Sequence, residues 1–449
     1  MAPAPPLTSL PGPRKYLGRI GAALDAGLNC LWIMPDHLVT QRIADDVFDY
    51  VVDRPDAITV PQADPVEATA QPIPLPSGTT GPAAPSWADD GFGDLDTSSV
   101  VVRALPVLEP AYSIVERLHF LDDGTTATDV LAAVVSSERL RGKVIALRGW
   151  EEPDATDVAN TFVRFNALTK GRSSPAREHV RMLVAARQSD LPPNLLSRID
   201  PMTAKVFWWW GSTTRLDTAV VVANAQPRVS GSATSGTQLH ELVATEVAVE
   251  VAGPDLDVAA ALSQRWDGRM STLHKCLDEI SFPVDGAEVV ERRILSGLRQ
   301  PPVELTGLWN AGAVDLWDGH VRITPAANNL SSGVIDMDTL IWRGQSRALT
   351  PLIDEQRHRF EDEIRRRIDP SLMDSLLFGE TPDRRLPGGS GPSVLEIGQL
   401  AWLVHSGHAT LPRGERELLN RLRSARNAVA HLRVLSDDEL DGLARLLPG

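Results

Sequence analysis

Cysteine is almost missing from this chain: Cys30 and Cys276 are the only two in 449 residues, and each lies in an apolar setting. Two thiols cannot complete a zinc site, and in a reducing compartment they do not form a structural disulfide. Long apolar runs are missing as well, so no segment approaches the ~20 residues that cross a bilayer. The opening Met1-Ala2-Pro3-Ala4-Pro5-Pro6 lacks a charged region followed by an apolar core, so it does not read as a secretory signal. A cytoplasmic protein with no membrane contact is expected. Positive charge is in deficit, with 44 Lys and Arg against 59 Asp and Glu and a net charge of −15. That balance excludes a protein that coats nucleic acid with its whole surface, so any such contact must be local. Neither a Gly-x-Ser-x-Gly elbow nor a dinucleotide-type Gly-x-Gly-x-x-Gly occurs. His405 and His408 have no partners at metal-ligand spacing. No metal, cofactor or covalent nucleophile is therefore assigned.

What is present supports two to four domains with real cores, since 43% of the residues are hydrophobic, while 34 Pro and 33 Gly imply long connections. Residues 16–26 read as a helix ended by Gly27, 29–34 as a buried strand stopped by Pro35, and 40–52 as a helix. From 54 to 98 the composition turns rich in Pro, Ala, Thr and Gly, which marks a linker or insertion. Strands then follow at 99–102, 143–147, 181–186 and 205–210, with helices at 129–136, 157–168 and 213–223. Short apolar strands alternating with helices predict an α/β core with a mostly parallel sheet, built from 1–53 and 99–225. Within Trp208-Trp209-Trp210 at most Trp208 and Trp210 share a strand face, and burial against helices is expected over stacking with bases. Arg215 and Asp217 are either a paired unit or helix-surface charges.

Residues 240–340 form a helical middle, with helices at 240–270, 272–280 and 287–298, then a helix, a turn and a hairpin over 308–323 tightened at Asp318-Gly319. Three helices and a hairpin are similar to a winged helix, read here as an internal contact module. The last unit, 350–449, is all-α. It opens at Thr350 as N-cap with Pro351 at the first helical position, adds helices at 371–378 and 393–405 around a 381–392 loop, and ends with a capping box at Ser436 and Glu439. The expected fold class is α/β plus all-α.

One stretch of that bundle carries chemistry. Leu418, Leu422, Ala425 and Val429 recur at three- and four-residue steps, predicting one amphipathic helix over 415–432. Asn427 and His431 are four apart and share a face, with Arg426 beside them. An imidazole moves protons near neutral pH, a guanidinium offsets charge on a phosphate, and an amide can fix a tautomer or a sugar hydroxyl. Arg413, Arg416, Arg421, Arg423 and Arg433 surround these groups, against Glu415 and Glu417. Such a local basic patch collects an anionic polymer, although a solvated helix face has the same composition.

Arg-x4-His with Asn directly after the Arg, on a late helix of a helical segment, resembles the HEPN family of helical bundles. The resemblance covers about the last hundred residues. It implies metal-independent endoribonuclease activity, in which the ribose 2′-hydroxyl attacks the adjacent phosphate, and a homodimer in which a second copy completes the site. Arg426 would then be the phosphate clamp, His431 the general acid/base and Asn427 an orienting group, with Arg421, Arg423 and Arg433 contacting RNA. The spacing alone also occurs from Arg269 to His274, and more loosely from Arg172 to His179. The competing reading is an exposed Arg and a partly buried His on an ordinary helix, in a noncatalytic assembly subunit. The strand and helix rhythm of the core also resembles a P-loop NTPase of the AAA+ or STAND kind, with 143–147 in the place of the acidic strand and 182–186 in that of the sensor strand. No Gly-x4-Gly-Lys-[Ser/Thr] occurs: the nearest positional candidate, Gly21 to Gly27, is followed by Leu28 and Asn29. The core is thus expected to be degenerate. The pairing resembles prokaryotic conflict systems that defend against phage.

Overall fold

Five parallel strands organise the amino-terminal half: β1 (Asn29–Met34), β2 (Ala57–Thr59), β3 (Val144–Arg148), β4 (Arg181–Arg187) and β5 (Ala204–Trp208), in the order β2-β3-β4-β1-β5. The computed structural model describes residues 5–62, 113–119, 129–170, 176–226, 235–280, 298–324, 336–369 and 394–447. The α/β core with a mostly helical carboxyl-terminal part is the expected class.

The central strands are apolar through most of their length because both faces are covered. Every residue of β1 is buried, as are the first six of β4. The one polar residue of β1, Asn29, is fully used: its amide accepts from Met182 N (2.9 Å) and donates to Asn166 (3.1 Å) and Thr169 (3.0 Å), which ties the start of the strand to its neighbours. Helices α1 (Pro11–Asp25), α2 (Asp36–Thr40), α3 (Ile43–Val52), α4 (Ile114–His119), α5 (Val130–Ser136), α6 (Ala155–Thr169) and α7 (Arg215–Ala225) accompany the sheet. Edge strand β2 lies inside the stretch read as a linker from 54 onward. Its three residues pair with Val144, Ile145 and Ala146 of β3. The remainder of that stretch from 63, the expected strand at 99–102, all but the last residue of the expected helix at 287–298 and the segment 371–392 lie outside the described residues.

Three readings need correction. The strand at 205–210 stops at Trp208, because Trp210 N–H turns back to Trp208 O and Gly211 takes a positive φ of 65°. Trp209 and Trp210 are nevertheless buried, and Trp208 packs on Trp309 with ring centroids 5.6 Å apart. The helix at 240–270 is two, α8 (Ser235–Ala252) and α9 (Leu256–Arg265). Gly253, at φ 59°, followed by Pro254 breaks it, and the Asp255 carboxylate caps the second piece. Most consequential, no helix starts at Thr350. Helix α12 runs unbroken from Met337 to Arg365, capped by Asp336, with Pro351 inside it on an exposed face. The proline removes one backbone donor but not the helix, because neighbouring turns bury Leu349, Ile353 and Phe360.

With α8, α9, α10 (Met270–Ile280) and α12, the helices α13 (Ile397–His405), α14 (Arg413–Ala430) and α15 (Asp437–Ala444) share one hydrophobic core. The long pair α8 and α12 cross closely at Gly344, where a Cβ would lie 2.5 Å from the Val247 Cα, so only glycine fits. Helix α11 (Thr306–Asn310) and hairpin β6 (Val314–Trp317) with β7 (His320–Ile323), turned at Asp318 and Gly319, pack mainly against the sheet's core. Sheet part and helical part meet at Glu250 of α8, a buried carboxylate joined by Arg215 (3.1 Å) of α7 and Arg347 (2.8 Å) of α12. A buried carboxylate of this kind is tolerable only when so paired.

Candidate functional site

Two regions qualify on chemistry: the carboxyl ends of the strands and the end of α14. In open parallel sheets, ligands bind beyond the carboxyl ends, where loops diverge. Here β1 leads into Pro35 and Asp36, which supply neither glycine nor lysine to a phosphate. Gly21 lies within α1 and Gly27 in the turn before β1, at the opposite end of the sheet, so they are not the positional equivalent of a phosphate loop. Helix α11 covers the crevice. Asn310 O meets His37 Nδ1 (3.1 Å), Asn310 Nδ2 donates to Gln188 (2.9 Å), and Trp309 Nε1 donates to Trp209 O (3.0 Å). Burial lowers the His37 pKa. At the end of β3, Arg148 pairs with Asp49, while Glu152 just beyond forms a buried pair with Arg117. Burial raises the pKa of Glu151 between them. Asp217 serves as a helix cap that also accepts from Gly12 N–H (2.9 Å), and Arg215 is committed to Glu246 and Glu250.

Helix α14 forms where the apolar spacing placed it, burying Leu418, Leu419, Leu422, Ala425 and Ala428. Its end is a Schellman motif: Leu432 N–H donates to Val429 O (3.2 Å), and Arg433 N–H donates to Ala428 O (2.9 Å). The left-handed position is filled by Leu432 at φ 57°. His431 is therefore the C-cap residue, one step beyond the helix proper. Two side chains of α12 hold this end in place. Trp342 Nε1 donates to Val429 O (2.8 Å), and buried Gln345 bonds both backbone groups of Leu435. Arg433 grips Glu439 with two hydrogen bonds (2.9 and 2.8 Å). The Arg433 contact, reinforced by Ser436, holds the Glu439 carboxyl at about 2 against the opposing effect of its partial burial.

Asn427 and His431 stand four residues apart on the exposed face at the end of α14, and neither side chain has a hydrogen-bond partner among the described residues. Arg426 does not share that face. A five-residue step at 3.6 residues per turn sets it about 140° round the axis from His431, and its Nη2 lies 3.5 Å from Glu396 at the start of α13. With side chains 49% and 68% exposed, that pair is loose and easily exchanged for another anion. Among the other basic residues, Arg433 is committed to Glu439 and Arg421 reaches Glu417 (3.3 Å). Arg413, Arg416 and Arg423 are exposed without an ion pair among the described residues. Sequence reading missed Trp342, Gln345 and Glu396. The first two were hidden because α12 was expected to begin only at Thr350.

No helix of the described residues is long and apolar enough to cross a membrane. No family model, curated protein or solved structure gives a significant match to the chain.

Proposed function

We propose that this chain is a metal-independent endoribonuclease whose reactive surface is the end of α14. The observation that carries the reading is the uncommitted, exposed pair Asn427 and His431, set on a backbone that Trp342 and Gln345 hold rigid. In the reaction, the 2′-hydroxyl of one nucleotide bonds to its own 3′-phosphorus and the bond to the next 5′-oxygen breaks, leaving a 2′,3′-cyclic phosphate and a 5′-hydroxyl. One proton leaves the attacking hydroxyl and one reaches the departing oxygen. A single imidazole cannot take and give at the same moment, so His431 from each of two copies divides the work. Arg426 steadies the phosphorane charge, exchanging Glu396 for phosphate. Its divergence from His431 within one chain fits a site assembled by two chains. The resemblance of about the last hundred residues to HEPN bundles supports the same reading. The strand order β2-β3-β4-β1-β5 supports a relationship of the sheet to AAA+ or STAND cores, without their phosphate loop. That combination suits a defence protein of a prokaryotic conflict system.

The test is incubation of the purified chain with total RNA in the presence of a chelator. Cleavage with 2′,3′-cyclic phosphate ends, lost in His431→Ala and Arg426→Ala while assembly persists, is expected. A wild-type chain that leaves RNA intact overturns the reading. It would favour instead a noncatalytic assembly subunit, for which exposed Leu432 at the same helix end is the supporting observation.

A further inference from the structure

Between helices α13 and α14 lies an open groove of about 520 Å³, walled by Val404 and His405 on one side and by Arg413, Arg416, Asn420 and Ser424 on the other. The last four recur at three- and four-residue steps, and the same steps lead on to Asn427 and His431. One continuous face of α14 thus runs from Arg413 to His431, about 27 Å at 1.5 Å per residue. In a chain of net charge −15, two of the arginines without an ion pair among the described residues, Arg413 and Arg416, open onto this groove. One acid, Glu417, joins them in its lining, and it is already engaged by Arg421. Near the end of α13 and outside the groove's lining, Trp402 is 47% exposed and its ring lies 5.3 Å from that of His408, an exposed aromatic pair whose members stand three residues either side of His405.

We propose that this groove is a track for single-stranded RNA that leads an unpaired strand to His431. The inference rests on the endoribonuclease reading for the identity of the polymer. Charge complementarity selects a polyanion, with guanidinium groups taking phosphates and Asn420 and Ser424 offering neutral polar contacts. The exposed Trp402 and His408 rings select unpaired bases, since stacking needs a free base face that a duplex does not present. The 27 Å face matches at most about eight stacked nucleotides at ~3.4 Å each.

The experiment measures fluorescence anisotropy of an unstructured 20-nucleotide RNA on the full chain carrying His431→Ala, so that binding is read without cleavage, over a salt series. Arg413→Ala with Arg416→Ala is expected to weaken binding about tenfold or more, and to flatten the salt dependence by about 1.4, at about 0.7 for each phosphate no longer neutralised. Trp402→Ala is expected to weaken binding without changing the salt dependence. Glu417→Gln removes the competing acid and is expected to tighten binding, which keeps the test decisive if the arginine variants fold poorly. Unchanged affinity and salt dependence in these variants overturns the track, as does equal affinity for an A-form duplex of the same sequence. The two readings fail separately. Wild-type cleavage that ignores Arg413 and Arg416 at limiting RNA sinks the groove alone. Groove-dependent binding by a chain that never cleaves RNA sinks the catalytic assignment alone.

Discussion

Gln345 and Leu435 exchange two hydrogen bonds in the buried seam between α12 and the segment after α14: the amide Nε2 donates to Leu435 O at 2.9 Å, and Leu435 N–H donates to Oε1 at 2.7 Å. Ninety residues of chain are closed by this one amide, and the loop it fixes carries Leu432 and Arg433 directly after His431. Gln345→Ala leaves a backbone donor and acceptor buried without partners, at about 1–3 kcal/mol each. A loss of about 3 kcal/mol in urea unfolding is expected, together with faster hydrogen exchange at Leu435. A loss below about 1 kcal/mol would show that water reaches this seam and that the His431 turn is not held as argued.

The pairing of Arg433 with Glu439 makes the same turn sensitive to acid. The folded state holds the Glu439 pKa at about 2, below the ordinary 4.5. A depressed carboxylate contributes its stability in full above the unfolded pKa and loses it as pH falls through the folded one. The loss therefore falls between about pH 4.5 and pH 2. Because the Glu439 side chain is 38% exposed, solvent screening discounts the contribution to about 1 kcal/mol. Glu439→Gln should lower stability by that amount at pH 7 and by nearly nothing at pH 2. Denaturant midpoints for both chains across this range check it, and a constant difference would contradict the assignment.

The sheet was legible because parallel, doubly covered strands announce themselves. Cys30 to Met34 and Met182 to Ala186 are unbroken apolar runs, and the structure places them side by side. Helix α14 was legible for a similar reason, through its four-residue apolar spacing. The long helix α12 was not, because Thr350-Pro351 has the form of a helix start. Local chemistry there points one way, while the apolar residues buried on either side of Pro351 decide the outcome. Partners set far apart in sequence stayed invisible: Arg426 with Glu396, and Gln345 with Leu435, depend on how helices lie across one another. The basic cluster illustrates the limit. Composition counted Arg421, Arg433 and Arg416 alike, whereas only coordinates separate the two with acidic partners from Arg416, which opens onto a groove without an ion pair among the described residues.

Leu432 closes α14 in a left-handed conformation that glycine fills in most helices ending this way, and it is 67% exposed. An L side chain there costs about 1–2 kcal/mol, and so exposed a residue recovers little of it by burial. Leu432→Gly relieves that strain but adds freedom to the unfolded chain, worth about 0.4–1 kcal/mol in the opposite direction. A net gain of about 0.5 kcal/mol is therefore expected in dilute solution, where the chain is measured as a monomer. At high concentration the sign should reverse if Leu432 forms part of the contact between two copies that the catalytic proposal requires. Sedimentation equilibrium of both chains separates the contributions. The variant should be at least as stable alone and should associate less tightly. Equal association would remove Leu432 from the interface and leave the strained turn without that role.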